Sequence, residues 1–381
     1  MSGGSPRYRP ATLLAHAGMP TLDASGALLI APQFSTTFHR EADNSYASGR
    51  VYGRDDNPTF EAPQRLITQL EGGEDALIFG SGMAAATTMF LSLAPGDHVV
   101  APKVMYWALR KWLQHHATSW GLNVEFVDAT DPSAIAGAVL PNRTKLVWIE
   151  TPANPTWAVT DIAAAAEAAH RVGAVLAVDN TAPTPLLTKP IAHGADFVMH
   201  SGTKYLNGHD NAFSGFLVAA TVSDQWERVR ALRRSLGAIP GTLDAWLLLN
   251  GMRTLAVRLE RACHSAGNIA EAMVAHNAVE RVLFPGLSTH PGHKIAARQM
   301  SGYFGALLSI EVRGGEAAAV RAAGRLQLWQ RATSFGGPES LVEHRRSVEG
   351  NDSPAAPGLL RLSVGLEDSK DLIDDLRRAL A

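Results

Sequence analysis

Residues 197–205 read Phe-Val-Met-His-Ser-Gly-Thr-Lys-Tyr, a strand-like run followed by a turn that indicates the class of fold. Its first four residues form a short apolar run typical of a buried strand, and a turn with two hydroxyls and a lysine follows. In an open α/β sheet, ligands bind beyond the carboxyl ends of the strands. We therefore expect Lys204 to lie in a binding site, with Ser201 and Thr203 placed to hydrogen-bond an anionic oxygen. Taken alone, these residues would more often indicate an ordinary turn with a solvated lysine.

Short apolar runs alternate with helical patterns before this stretch. The spacing predicts strands at 75–79, 97–101, 124–127, 145–149, 174–179 and 197–200, and helices at 62–71, 83–93, 106–116 and 161–172. Because parallel strands need crossover connections, this order predicts an α/β fold with a mostly parallel sheet and helices on both faces. Beyond residue 221 the pattern predicts helices at 224–236 and 243–276 and strands at 279–283 and 306–312, as in a smaller C-terminal α+β domain.

The first 60 residues lack sustained periodicity and are interrupted by Pro10, Pro20, Pro32 and Pro58. We interpret them as an extended arm rather than a domain. The chain is therefore predicted to have three parts, namely the arm at 1–60, a large domain at 61–242 and a small domain at 243–381.

Composition excludes several classes of protein. The 381 residues carry 34 basic and 36 acidic side chains, a net charge of −2, which argues against a nucleic-acid surface built on bulk basicity. No apolar run is long enough for a membrane span, and the first residues do not resemble a secretory signal, so a cytoplasmic protein is expected. The single cysteine, Cys263, excludes an intramolecular disulfide and argues against a cysteine-based metal site.

A carboxylate, Asp179, ends the apolar run at 174–178. Burying a carboxylate is costly unless a cation pairs with it, and a protonated ring nitrogen would serve. The alternative interpretation is a structural cap on the turn that follows.

A glycine-rich turn, Gly80-Ser81-Gly82-Met83-Ala84-Ala85, opens a helix after another predicted strand. Free N–H groups at a helix N-terminus form an anion site. The turn also fits the G-x-G-x-x-A dinucleotide fingerprint, which requires an acidic residue at the end of the next strand. Here Asp97 comes before that strand, so a phosphate monoester fits better than a dinucleotide.

These three features describe one ligand with a phosphate, a ring that favours a buried aspartate and a carbonyl that a lysine can capture. Pyridoxal 5'-phosphate (PLP) has this chemistry. The chain resembles the Cys/Met metabolism (trans-sulfuration) family of fold-type I PLP enzymes, which includes cystathionine γ-synthases, cystathionine β- and γ-lyases and O-acylhomoserine sulfhydrylases. The motifs that carry the resemblance lie at 12–18, 32–38, 52–54, 57–59, 70–73, 80–85, 150–155, 179–181, 201–209, 285–293, 334–341 and 360–367.

The resemblance implies roles for the residues that match these motifs. Lys204 would hold PLP and shuttle protons, Asp179 would pair with the pyridinium nitrogen, and Tyr106 would stack on the ring and assist proton transfer. The phosphate would lie in a cradle of four residues, Gly82, Met83, Ser201 and Thr203. The substrate carboxylate would bind Arg361, supported by Asn154 and Ser334.

The resemblance also implies an oligomer. Tyr52 and Arg54 would reach the phosphate of the neighbouring subunit, which makes the active unit a dimer with shared sites, and the family usually forms a tetramer. The expected partners are a small amino-acid substrate and further copies of this chain, with no nucleic acid and no membrane.

Departures from the family pattern bear on the reaction. Methionine γ-lyases place a cysteine where this chain has Ala108, and Thr333 replaces the Glu or Tyr that often precedes the carboxylate-binding serine. Arg345 and Arg346 could meet an acidic distal group, while the role of Trp107 stays open. The predicted reaction is elimination or replacement at Cγ of a sulfur-containing or O-acylated amino acid, in the manner of cystathionine γ-synthase or γ-lyase.

The alternatives within the family are a cystathionine β-lyase or an O-acylhomoserine sulfhydrylase. The alternatives of another class are an NAD-binding dehydrogenase and a non-catalytic protein on a PLP scaffold. Two histidine pairs, His115-His116 and His290 with His293, are predicted not to bind metal, because the first points in divergent directions and the second lies in a turn outside the active site.

Overall fold

A computed structural model describes residues 8–19, 26–350 and 353–381, and two sheets organise them. The larger sheet contains β1 (Asp75–Phe79), β2 (His98–Pro102), β3 (Asn123–Val127), β4 (Thr144–Glu150), β5 (Val175–Asp179), β6 (Phe197–Ser201) and β7 (Gly215–Ala219). Their order across the sheet is β1-β7-β6-β5-β4-β2-β3, and only β7 runs antiparallel to its neighbours. The predicted mostly parallel sheet is confirmed.

The sequence analysis missed β7. Its first residue, Gly215, passes so close to the Ser81 carbonyl oxygen that a Cβ would lie 2.2 Å from it. A glycine at the start of a strand often marks such a close backbone approach, and here it also weakens the strand signal. β7 fills the position between β1 and β6, which brings the glycine-rich turn after β1 next to the lysine turn after β6.

Alternate residues of β1 face two different cores. Leu77 and Phe79 pack into an apolar cluster on one face of the sheet, whereas Ala76 and Ile78 pack into the cluster on the other face. Helices therefore cover both faces, as predicted.

Fourteen α-helices occur in the described ranges. They are α1 (Pro10–Ala15), α2 (Pro58–Glu71), α3 (Gly82–Leu91), α4 (Trp107–Trp112), α5 (Pro132–Ala138), α6 (Ile162–Arg171), α7 (Thr184–Leu187), α8 (Asp224–Leu236), α9 (Thr242–Met252), α10 (Leu255–Val274), α11 (His293–Gln299), α12 (Gly315–Arg325), α13 (Arg345–Glu349) and α14 (Ser369–Leu380). A π-helical turn at Leu113–Ala117 follows α4, and a 3-10 turn lies at Pro190–His193.

The helix predicted at 62–71 begins earlier, at Pro58. The Asn57 side chain caps it by accepting the Thr59 N–H at 2.8 Å, and proline is favoured at the first helical position. Because α2 begins at Pro58, Pro63 lies inside the helix and not in its first turn.

Other boundaries also differ. The helical stretch predicted at 243–276 is two helices, α9 and α10. Six helices were not predicted, namely the short helix α1 of the arm, α5, α11, α12, α13 and α14. Of the predicted arm, residues 1–7 and 20–25 lie outside the described part.

The smaller sheet contains β8 (Val279–Leu283), β9 (Leu307–Val312), β10 (Gln330–Arg331), β11 (Leu341–His344) and β12 (Leu359–Ser363), in the order β10-β11-β12-β9-β8. It is antiparallel except where β10 meets β11. The C-terminal part is thus α+β, as predicted. The domain limits near residues 60 and 242 stay predictions. Across the described ranges, no helix combines the length and apolarity needed to cross a bilayer.

Candidate active site

A cavity of about 500 Å³ lies where β4, β5 and β6 end. Ten of the predicted site residues line it together, namely Gly82, Met83, Tyr106, Asn154, Asp179, Ser201, Thr203, Lys204, Ser334 and Arg361. The first eight come from the larger sheet and its connections, whereas Ser334 and Arg361 come from the C-terminal part. The tertiary structure therefore brings one cluster together from both sheets.

The N-terminus of α3 forms one end of this cavity. Ser81 caps the helix, because its Oγ accepts the Ala84 N–H at 3.0 Å and its carbonyl accepts the Ala85 N–H at 3.1 Å. The N–H groups of Gly82 and Met83 have no acceptor among the described residues. A Cβ at Gly82 would lie 2.7 Å from the Ser201 Cβ, so only glycine lets the helix end approach that hydroxyl. This is the geometry of a phosphate cradle.

Asp179 is a buried carboxylate at the end of β5. Its Oδ1 accepts the N–H of Thr181 at 3.0 Å and the hydroxyl of Thr181 at 2.5 Å. Its Oδ2 accepts no hydrogen bond from the described residues. Burial raises the pKa of Asp179, so a cationic partner in the cavity would stabilise the ionised form.

Lys204 lies just beyond β6, and its Nζ donates a 2.7 Å hydrogen bond to the Ser334 Oγ. Burial, and then the positive charge of Arg361, lower the pKa of Lys204 to about 8. A lysine with this pKa is partly neutral near pH 7 to 8, as a nucleophile or a proton acceptor requires.

Arg361 is buried on β12, between β11 and β9. Its Nη2 donates to the Ser334 carbonyl oxygen at 2.7 Å and lies 2.9 Å from the Glu343 carboxylate. Its Nε is buried without a partner in the described structure. Burial lowers the pKa of Arg361 to about 10, which still leaves it a cation at neutral pH. A planar, partly unpaired guanidinium in a cavity suits a carboxylate ligand.

Ser334 connects these two cations. Its backbone has φ +90°, which L-residues rarely adopt. In this conformation its carbonyl meets Arg361 while its hydroxyl meets Lys204. Such backbone strain is typical of functional sites.

Glu150 is a site residue that the sequence analysis did not single out. It ends β4 in register with Asp179, its Oε2 accepts the Tyr106 N–H at 2.5 Å, and its Oε1 accepts the Asn154 N–H at 2.9 Å. Burial, and then the nearby Asp179, raise the pKa of Glu150 to about 8. The available signal was the one used for Asp179, a carboxylate that ends an apolar strand.

Glu71 is a second buried carboxylate that was not predicted, and it supports the residues that form the cavity. Glu71 Oε1 accepts hydrogen bonds from His200 Nε2 at 2.6 Å and from Asn180 Nδ2 at 2.8 Å. His200 precedes Ser201 and Asn180 follows Asp179, so Glu71 fixes the ends of both strands that carry these residues.

Tyr106 lies at the N-terminus of α4 with 43% of its surface exposed, and burial of its phenol raises its pKa.

Tyr52 and Arg54 are not brought to the cavity of their own chain. They pack on each other in the arm, with the Arg54 guanidinium 5.1 Å from the Tyr52 ring centre. Their predicted role toward a neighbouring subunit stays a prediction.

The described residues can be compared with what a metal ion and what PLP would each require. Within the described ranges, no three His, Cys, Asp or Glu side chains converge as a metal site would require. The cavity residues, in contrast, fit PLP, since unpaired amides, a buried carboxylate open on one oxygen and a lysine of lowered pKa match its phosphate, ring nitrogen and aldehyde.

Comparisons with known proteins agree with this chemistry. The sequence profile of the family described as "Cys/Met metabolism PLP-dependent enzyme" matches residues 11–381. The chain is 39% identical to the cystathionine gamma-synthase of Mycobacterium tuberculosis over 97% of this chain and 96% of that protein. It is 36% identical to the cystathionine beta-lyase of Coxiella burnetii, covering 97% of each. The crystal structure of metB from Corynebacterium glutamicum superposes with a TM-score of 0.94, at 37% identity over 98% of both chains.

Proposed function

Because the chain belongs to the Cys/Met metabolism family of PLP-dependent enzymes, we propose that it catalyses elimination or replacement at Cγ of a sulfur-containing or O-acylated amino acid. One observation carries the proposal, the hydrogen bond that places the Lys204 amine on Ser334, whose carbonyl in turn holds Arg361. An amino acid held by its carboxylate at Arg361 would present its Cα to the lysine.

Each residue of the cradle has a task toward the cofactor. The amides of Gly82 and Met83, with the hydroxyls of Ser201 and Thr203, would hold the PLP phosphate, and Asp179 would hold the ring nitrogen. When bound, PLP withdraws electrons from the Cα of the attached amino acid and so acidifies its proton.

The chain's own side chains would perform the remaining steps. Arg361 binds and orients the substrate carboxylate, with Asn154 and Ser334 beside it. The neutral amine of Lys204 accepts the proton from Cα and returns it later in the reaction. Tyr106 covers the cofactor ring, and its phenol is placed to exchange a proton with the departing group.

The active unit we propose is a dimer in which Tyr52 and Arg54 of one copy complete the phosphate site of the other, with two such dimers forming a tetramer. The exposure of Tyr52, 42% of its surface, and its distance from its own cavity support this arrangement. We further propose a cytoplasmic location, and the division into an arm, a cofactor domain and a small domain.

The test of the cofactor assignment is spectroscopic. The protein with PLP should absorb in the visible range, lose that band on borohydride treatment and retain the cofactor covalently. Lys204→Ala should show no borohydride-fixed cofactor. A protein that stays colourless after PLP is added would contradict the assignment.

The reaction is tested with a substrate panel of cystathionine, methionine, and O-succinyl- and O-acetylhomoserine with and without cysteine. Elimination at Cγ yields 2-oxobutanoate and ammonia, whereas replacement yields a new thioether. The second candidate is elimination at Cβ, which the relative named cystathionine beta-lyase favours. Pyruvate from cystathionine, with no activity at Cγ, would establish that alternative.

A further inference from the structure

Three cationic side chains line the cavity, Lys204, Arg345 and Arg361. Lys204 and Arg361 have tasks in the proposed reaction, whereas Arg345 has none. The sequence analysis suggested that Arg345 could receive an acidic group at the far end of a substrate. Whether it can do so depends on how its charge is already paired.

Each nitrogen of the Arg345 guanidinium takes part in an internal ion-pair network. Its Nε donates to Glu349 at 3.1 Å, its Nη2 also donates to Glu349, and its Nη1 donates to Glu343. The side chains of Arg345, Glu343 and Glu349 are only 6%, 5% and 2% exposed. We call these three residues the Arg345 wall.

The residues of the Arg345 wall also contact residues outside it. Ser353 donates its hydroxyl to the second oxygen of Glu349 at 2.5 Å, while Glu343 is shared between Arg345 and Arg361. Two arginines thus face two glutamates, and their formal charges cancel. After the α-carboxylate of a substrate binds at Arg361, these four side chains and that carboxylate together carry a net negative charge.

A second carboxylate at the wall would be unfavourable for two reasons. It would meet an arginine whose charge Glu343 and Glu349 already neutralise, and it would lose part of its hydration in the cavity. An uncharged group has neither cost. The apolar side chain of Val348, in the same cavity, offers such a group a surface.

Arg345 lines the same cavity as Tyr106, whose phenol is placed at the departing atom in the proposed reaction. Arg345 is therefore one of the charged groups that a leaving group in this cavity can meet.

Building on the proposed function, we propose that this site selects amino acids whose leaving group is uncharged, such as S-alkyl thioethers, and discriminates against leaving groups that end in a carboxylate. The Arg345 wall is the specificity determinant, since its glutamates neutralise the arginine that would otherwise bind the acid.

The test uses two thioethers that differ in charge and hardly in size, S-(2-carbamoylethyl)-homocysteine and S-(2-carboxyethyl)-homocysteine. With the PLP-loaded enzyme we expect kcat/KM for the carbamoyl compound to be at least tenfold higher. The dissociation constants, from titration calorimetry, should differ in the same direction. Equal values, or a preference for the carboxylate, would overturn the inference.

The variant Glu349→Gln removes one negative charge from the wall and retains an oxygen that Arg345 can use. It should reduce the tenfold preference to about threefold or less by improving the carboxylate compound. The matched control is Glu316→Gln, an exposed position on α12, which should leave the ratio unchanged. An equal effect of both substitutions would contradict a role for the wall.

The two proposals fail in different ways. If both thioethers are cleaved at equal rates, the proposed function stands and the specificity inference is wrong. If neither is cleaved but the carbamoyl compound still binds at least tenfold more tightly, the specificity inference stands and the proposed reaction is wrong.

Discussion

Lys204 and Ser334 lie 130 residues apart in the chain, yet the lysine Nζ and the serine Oγ are 2.7 Å apart. The contact joins the turn after β6 to the segment that precedes β11, so the candidate site exists only when both parts of the chain are folded together. The position of Lys204 also has an energetic cost, because its ammonium form is buried.

Replacing Lys204 by methionine is expected to stabilise the cofactor-free protein. The pKa of Lys204 is lowered to about 8 in the folded state, below its value in the unfolded chain, so the cost of the buried charge is fully present below pH 8. We expect a gain of about 2 kcal/mol in the free energy of unfolding at pH 7. Urea denaturation at pH 7 and at pH 10 measures it.

The sign of the pH dependence follows from linkage. As the pH rises above 8, the folded wild-type protein releases the lysine proton before the unfolded chain does, so its stability increases relative to that of the variant. The advantage of Lys204→Met should therefore shrink toward pH 10. An advantage that is constant with pH would contradict a buried ammonium.

Replacing Gly82 by alanine is expected to weaken PLP binding by roughly tenfold or more, because the added Cβ would lie 2.7 Å from the Ser201 Cβ and would push α3 away from the anion site. Equilibrium dialysis with PLP measures the loss. The control is Gly267→Ala in α10, where nothing lies within 4 Å of the added atom. That variant should bind PLP normally and gain about 0.5–1 kcal/mol of stability. Equal PLP affinities in both variants would contradict the cradle.

Replacing Glu150 by glutamine leaves one acceptor oxygen for two backbone N–H groups, those of Tyr106 and Asn154. The segment that carries one of these two N–H groups must then shift. Misplacement of a residue of the site in this way lowers kcat/KM by about 10- to 100-fold. Steady-state kinetics on the best substrate of the panel measures the change. The same substitution at the exposed Glu167 of α6 should have no effect. An unchanged kcat/KM in Glu150→Gln would show that the carboxylate does not position either segment.

Replacing Glu71 by leucine would leave His200 Nε2 buried without its partner, and would leave Asn180 Nδ2 with only the Thr188 carbonyl oxygen as acceptor. Breaking a buried pair of this kind costs about 3–5 kcal/mol, and we expect that loss in the free energy of unfolding. Urea denaturation measures it. Glu71→Gln, which keeps one acceptor, should lose about half as much. Loss of less than 1 kcal/mol in the leucine variant would contradict the role of Glu71 behind the site.

Much of the site could be predicted from local sequence. Apolar runs ending in Asp179 or in the turn before Lys204 indicate where strands stop, and ligands of open α/β sheets bind there. The glycine-rich turn at 80–85 opens a helix after a strand, and unpaired amides at a helix N-terminus form an anion site. These signals are short and local, so one sequence is enough to detect them. The resemblance to the family predicted Arg361, Ser334 and Asn154 as further site residues.

Which charged groups meet inside the site depends on the folded chain. The sequence shows Arg345 as one of two adjacent arginines open to an acidic ligand, whereas the fold buries it with its near neighbours Glu343 and Glu349 and also joins Glu343 to Arg361 on the adjacent strand. The sequence shows Glu150 as the last residue of a strand, whereas the fold places it under the backbone of Tyr106, 44 residues away. Propensity and spacing are local properties, but whether a charge is neutralised depends on which groups surround it after folding, and in a buried site that decides what the site can bind.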